Sequence, residues 1–122
     1  MADGKSKILV VDDEYAIADT LVAILRQGGY DAYAAYSGKA AVECARSTSP
    51  DLIISDVIMP DISGIEAAIH IRGFLPECKI LLFSGQANTA DLLNDATAKG
   101  YDFELLSKPV YPQDLLAKLR TL

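Results

Sequence analysis

The 122-residue chain predicts a doubly wound α/β domain, five parallel strands in the order 2-1-3-4-5 with five helices on the two faces. Two observations carry that expectation. First, short apolar runs stop abruptly on polar residues: Ile8-Leu9-Val10-Val11 on Asp12-Asp13, Leu52-Ile53-Ile54 on Ser55-Asp56, and Ile80-Leu81-Leu82-Phe83 on Ser84-Gly85. Runs of four or so apolar residues bounded by turn signals fit strands buried on both faces. Second, these runs alternate with helical patterns across short connections, which calls for right-handed crossovers in one parallel sheet. The 51% hydrophobic content agrees with a sheet covered on both sides.

Taken in order, residues 1–6 are expected to be a disordered lead and 7–122 one domain. Lys7 to Val11 is the first strand. A helix follows with Ile17, Leu21, Ile24 and Leu25 on one face, ended by Gly28-Gly29. Tyr30 to Tyr36 is a weaker, outer strand, its tyrosines serving as edge packing. Ser37-Gly38 opens a helix to about Ser47, with Ala41, Val42 and Ala45 inward. Pro50 closes the loop before the central strand ending at Asp56, and Pro60, Asp61 and Gly64 turn the chain. A helix from Gly64 to Arg72 points Ile65, Ala68, Ile69 and Ile71 at the core. After Pro76 come the strand Lys79 to Phe83, a helix over Asn88 to Lys99 stopped by Gly100, and the strand Phe103 to Leu106. Pro112 starts a last helix, where its missing N–H costs nothing, with Leu115, Leu119 and Leu122 as its stripe.

The net charge of −6 and pI near 4.6 argue against a nucleic-acid or anionic-membrane surface. Cys44 and Cys78 lack CxxC spacing and histidine partners, and are expected as reduced, packed thiols. Residues 1–7 carry no signal-peptide pattern and no run is long enough to span a membrane, so a cytoplasmic location is the default. His70, the single histidine, is expected on the surface.

In the order 2-1-3-4-5, the strands ending at Asp12-Asp13 and at Asp56 flank the switch point where such sheets bind ligands. Ser84 and Lys108 come in from the fourth and fifth strands. Three carboxylates in one crevice repel, and a divalent cation resolves this; Mg²⁺ takes one or two carboxylates and keeps room for a phosphate. Asp56 can then act as a nucleophile toward phosphorus, giving an aspartyl phosphate. Cations at the equatorial oxygens, Mg²⁺ and Lys108, and the Ser84 hydroxyl complete what phosphoryl transfer requires. For Asp12 and Asp13 the plainer reading is capping of the first helix.

Asp12-Asp13, Asp56 ahead of Met59-Pro60 and Gly64, Ser84-Gly85, and Lys108-Pro109, each at a strand end, resemble the receiver domain of bacterial two-component response regulators, a flavodoxin-like fold. The likeness covers roughly residues 7 to 120. It implies that Asp56 is the phosphoacceptor, loaded from a sensor histidine kinase or phosphotransfer protein. It implies Mg²⁺ held by Asp13, Asp56 and the Ile58 backbone carbonyl, with Asp12 acting mostly through water. Ser84 would be the switch hydroxyl and Lys108 the ion-pair partner of the phosphoryl group, aimed by a cis Lys108-Pro109 bond. A downstream protein or output domain would read the surface of the fourth helix, fifth strand and last helix, the same face that could form a homodimer.

One departure concerns the aromatic that such domains carry three residues before the lysine. Leu105 stands there, Phe103 lies two residues earlier, and Tyr111 is a further aromatic nearby. Either Phe103 takes the role through a bulge or the aromatic coupling is absent. Ile58 and Gln86 flank the path of an attacking water; Ile58 cannot orient one, so slow self-dephosphorylation is expected unless Gln86 does so. The rival functions are a Mg²⁺-dependent phosphatase working through an aspartyl phosphate and a receiver-like binding module that accepts no phosphate. The first wants an acid/base Asp where Ile58 stands, and a cap that no insertion supplies. The sequence ends where the last helix should end, which fits both a stand-alone domain and one cut from a longer chain.

Overall fold

The computed structural model describes residues 6–84, 94, 97–101, 103–107 and 111–121. Five strands, β1 (Lys7–Val11), β2 (Asp31–Ala35), β3 (Leu52–Asp56), β4 (Lys79–Ser84) and β5 (Glu104–Ser107), form one sheet in the order β2-β1-β3-β4-β5. Every pairing is parallel. Four helices are described in full: α1 (Tyr15–Gln27), α2 (Gly38–Thr48), α3 (Gly64–Phe74) and α4 (Pro112–Leu119). The expected helix over Asn88–Lys99 lies largely outside the described residues; of it, Asn94, Thr97 and Ala98 are helical.

The central strands have no polar face because each of their two faces meets helices. Leu9, Val11, Ile53, Ile80 and Leu82 join Ala41, Ala45, Ile65, Ala68 and Ile71 from α2 and α3. Their strand neighbours Ile8, Val10, Ile54, Leu81 and Phe83 join Ala18, Leu21, Val22 and Leu25 of α1 and Leu115 and Leu119 of α4. Period-two side-chain alternation thus feeds two separate cores from one set of strands. All five residues of β3 are buried, including Ser55 and Asp56. On α1 the buried stripe centres on Ala18, Leu21, Val22 and Leu25, while Ile17 and Ile24 sit at its half-buried margin.

Element ends follow local chemistry. Ser37 caps α2 by accepting the Ala40 N–H at 3.0 Å, and Ser63 caps α3 by accepting that of Glu66 at 3.1 Å. Gly29 adopts φ +95° just past α1, the left-handed conformation that glycine takes without strain. Pro112 stands in the first turn of α4. Both cysteines are free thiols; Cys78 is buried, and burial pushes its thiol up to about 11.

The three tyrosines of the second unit have separate jobs. Tyr30 packs on the α1 core, Tyr33 Oη donates to Thr48 Oγ1 at 2.6 Å, and Tyr36 Oη donates to Asp19 Oδ1 at 2.7 Å. Among the described residues no helix is long and apolar enough to cross a membrane.

The last strand differs from the expected Phe103–Leu106 by one residue. Glu104 pairs with Leu81 and Ser107 with Ser84, so pairing to β4 sets the strand's limits. Phe103 precedes the strand, at the amino end of the sheet. It is buried, stacked on Tyr101 at 5.7 Å between ring centroids, with the Arg72 guanidinium 5.4 Å from its ring. Phe103 thus lies at the opposite end of β5 from Ser107, and both it and Leu105 pack on the α2–α3 side of the sheet.

Candidate functional site

The carboxyl rim of the sheet collects the acidic residues. β1 ends at Val11 and delivers Asp12 and Asp13; β3 ends on Asp56 itself. Because β1 and β3 are neighbours in register, with Val11 opposite Ser55, the two strand tips lie side by side. One carboxylate oxygen from each of Asp12, Asp13 and Asp56 falls within 4.8 Å of the others. Asp12 is fully buried, Asp56 is 7% exposed and Asp13 faces solvent.

Neither carboxylate of the pair serves as a side-chain cap of α1. Its N-cap is Glu14, without a side-chain cap hydrogen bond. Asp12 Oδ1 accepts the Glu14 N–H at 2.9 Å, which fixes Asp12 across the entrance to the helix. Tyr15, the first residue of α1, meets Tyr36 beyond β2 at 4.3 Å between ring centroids, an exposed aromatic pair next to the rim.

The backbone around Asp56 is held tightly. Ser55 Oγ donates to the Asp56 carbonyl at 2.9 Å, the Val57 N–H to the Phe83 carbonyl at 3.2 Å, and the Gly64 N–H to the Val57 carbonyl at 2.7 Å. A Cβ on Gly64 would collide with the Asp56 carbonyl oxygen, so glycine is the residue that lets α3 start there. Val57 and Met59 point inward while Ile58 is 43% exposed, which sets an apolar side chain beside the acceptor.

Of the other expected site residues, Ser84 is buried at the tip of β4, one step past Phe83, which pairs with Asp56. Lys108, Pro109 and Gln86 lie outside the described residues; Ser107, which precedes Lys108 in sequence, pairs with Ser84. Asp12, Asp13, Asp56 and Ser84 are thus gathered at one edge of the sheet.

Ionised carboxylates at this spacing repel by about 3 kcal/mol per pair at an effective dielectric near 20, before screening at exposed Asp13. A cluster of hard oxygens that is partly buried and partly open fits a divalent cation of the Mg²⁺ type. That fit comes from the donor set and from the proximity of the three oxygens.

One functional candidate was not singled out from the sequence. Asp61 was expected only as a turn residue, yet its two oxygens accept the N–H groups of Gly38 and Lys39 at the start of α2, at 3.1 and 2.8 Å. Burial pushes the Asp61 carboxyl upward, but the N–H donors of Lys39, Ile62, Gly38 and its own backbone outweigh it and hold it below the ordinary value.

Parallel strands wound 2-1-3-4-5, with acidic groups at the first and third tips, define a doubly wound α/β domain of the flavodoxin-like order. Residues 8–120 match the response regulator receiver domain family, and the chain belongs to it. It is 33% identical over 122 residues to the probable transcriptional regulatory protein TcrX of Mycobacterium tuberculosis, covering 99% of this chain and 51% of that one. It is 32% identical over 118 residues to the transcriptional regulatory protein CreB of Escherichia coli, covering 97% and 51%. The chain therefore spans about half the length of these curated relatives. Among solved structures, the chemotaxis protein CheY4 of Vibrio cholerae superimposes with a TM-score of 0.86 at 29% identity, covering 97% of this chain and 98% of that one.

Proposed function

We propose that Asp56 is the phosphoacceptor of this receiver domain and that its phosphorylation depends on Mg²⁺. The observation that carries the proposal is the approach of three carboxylate oxygens, from Asp12, Asp13 and Asp56, to within 4.8 Å at the carboxyl rim. Asp13, Asp56 and the Ile58 backbone carbonyl would hold the ion, with Asp12 acting through water. When bound, the ion supplies positive charge that offsets carboxylate repulsion and the charge on the transferring phosphoryl oxygens.

The chain's own residues do the rest. An Asp56 carboxylate oxygen attacks phosphorus in line, the new O–P bond forming as the N–P bond of a donor phosphohistidine breaks. The bonding pair goes to the imidazole nitrogen, which takes up a proton. The Ser84 hydroxyl donates to a phosphoryl oxygen, and the Lys108 ammonium pairs with another. Ile58 offers no group to orient water, so the acyl phosphate persists unless Gln86 orients one. The donor is a sensor histidine kinase or phosphotransfer protein in the cytoplasm, and the charge added at the rim biases a surface that a downstream protein reads.

Acetyl phosphate labelling with intact-mass readout tests this. One phosphoryl group should appear with Mg²⁺, and none after chelation or in Asp56→Asn. Labelling that persists in Asp56→Asn, or that ignores chelation, would refute the assignment. Turnover of small phosphate esters would instead favour a phosphatase. A pull-down comparing beryllofluoride-treated protein with Asp56→Asn then identifies the partner, or self-association through β5 and α4.

A further inference from the structure

The loop that leaves the acceptor strand is tied to a helix that precedes it by some twenty residues. Asp61 places one oxygen on the Gly38 N–H and the other on the Lys39 N–H, so its carboxylate straddles the first turn of α2. That turn contains no acidic residue of its own, although a negative charge there is favoured by the aligned peptide dipoles. Ile62, the next residue, lies against Gly38 so closely that a Cβ at position 38 would collide with its side chain. Ser37 already caps the helix locally through Ala40, so the helix does not depend on Asp61 alone. What Asp61 adds is a tether between α2 and the stretch that runs from Asp56 through Ile58 to Gly64.

The same stretch is pinned at its ends by Gly64 on Val57 and by the inward side chains of Val57 and Met59. Between Met59 and Ser63 the Asp61 pair supplies side-chain anchorage for an exposed turn. We infer that Asp61 is a positioning residue: by clamping the acceptor loop to the α2 N-terminus it fixes the backbone at Ile58 for cation binding. This rests on the reading of the rim as a Mg²⁺ site. Coupling of this kind is reciprocal, so a cation in the site also steadies the start of α2.

Mn²⁺ binding to the full chain, followed by the loss of free-ion EPR signal, tests the inference without reference to phosphorylation. Asp61→Ala should weaken Mn²⁺ binding about tenfold and Asp61→Asn, which keeps one acceptor oxygen, by less. Ser37→Ala, which removes the other cap of the same helix, should leave it unchanged. The Asp61→Ala loss should survive 1 M salt, where the Debye length is about 3 Å and a distant charge no longer counts. In hydrogen exchange, Mg²⁺ should slow the Gly38 and Lys39 amides in the wild type and not in Asp61→Ala. Equal losses in Ser37→Ala and Asp61→Ala, unchanged affinity in Asp61→Ala, or a loss that disappears at 1 M salt would each overturn the inference. If Asp61→Ala does not fold, Asp61→Asn carries the comparison with Ser37→Ala. Wild-type protein that binds no Mn²⁺ would instead refute the metal site itself.

Discussion

Polar residues gather at both ends of the sheet, but the two ends treat them differently. At the amino edge Lys7, Asp31, Asp51, Lys79 and Glu104 all face solvent. Their contacts reach solvent: Asp51 Oδ2 accepts the Lys7 N–H at 2.9 Å, and Glu104 meets the half-buried Lys118 at 3.3 Å. At the carboxyl edge Asp12, Asp56 and Ser84 are buried, and oxygens of Asp12, Asp13 and Asp56 lie within 4.8 Å of one another. Burying a charge costs free energy unless it is paired and hydrogen-bonded, so the carboxyl edge places a demand on its surroundings that the amino edge does not. A cavity of about 490 Å³ opens at the other edge, lined by residues such as Ile8, Leu52, Cys78 and Leu119 and by none of the three carboxylates.

That contrast can be broken in several ways. The layer between the two edges should respond most: Ile54→Ala, in the middle of β3, should lower unfolding free energy by about 3 kcal/mol in urea titrations. An exposed charge at the amino edge, removed in Lys79→Ala, should cost under about 0.5 kcal/mol. Similar costs for the two would mean the central layer is not the core described.

Mg²⁺ should act only through the rim. At about a hundred times its dissociation constant it should raise wild-type stability by about 2.7 kcal/mol, and much less in Asp13→Asn. An equal gain in both would place the binding elsewhere. Ile58→Asn should speed phosphate loss several-fold by giving water a polar group beside the acceptor, corresponding to about 1 kcal/mol in the barrier. An unchanged rate would remove Ile58 from the account.

A separate effect belongs to the amino edge and to alkaline pH. Cys78 has an ordinary value of 9.0 that burial raises to about 11 in the folded chain. The unfolded chain gives up this proton first, so the contribution is complete below pH 9, shrinks as pH rises, and is gone above about 11. The stability difference between wild type and Cys78→Ala should therefore narrow across that window. A constant difference would show that the thiol does not titrate differently on folding.

Much of this was legible in advance because it is local. Lys7–Val11 and the start of β4 at Lys79 were read to the residue, since a buried parallel strand needs a continuous apolar run and charges mark its outer end. Asp12, Asp13, Asp56 and Ser84 were legible as strand-end polar residues, which a doubly wound order brings to one edge. The limits of β5 were not, because they are set by pairing with Leu81 to Ser84 and not by the run Phe103–Leu106. Nor was the burial of Phe103 beneath Arg72, a contact between α3 and a segment some thirty residues later.

The sequence by itself determined the class of fold, the order of its elements and the set of acidic residues at the strand tips. Periodicity and turn chemistry act over a few residues and leave a readable trace. Only the tertiary structure decided which carboxylate faces what. Asp12 turns to the Glu14 amide, and Asp61 reaches the first turn of α2. A short acidic side chain in a loop has no periodic signature, and its hydrogen-bond donors are chosen by whichever helix end the folded sheet brings within reach.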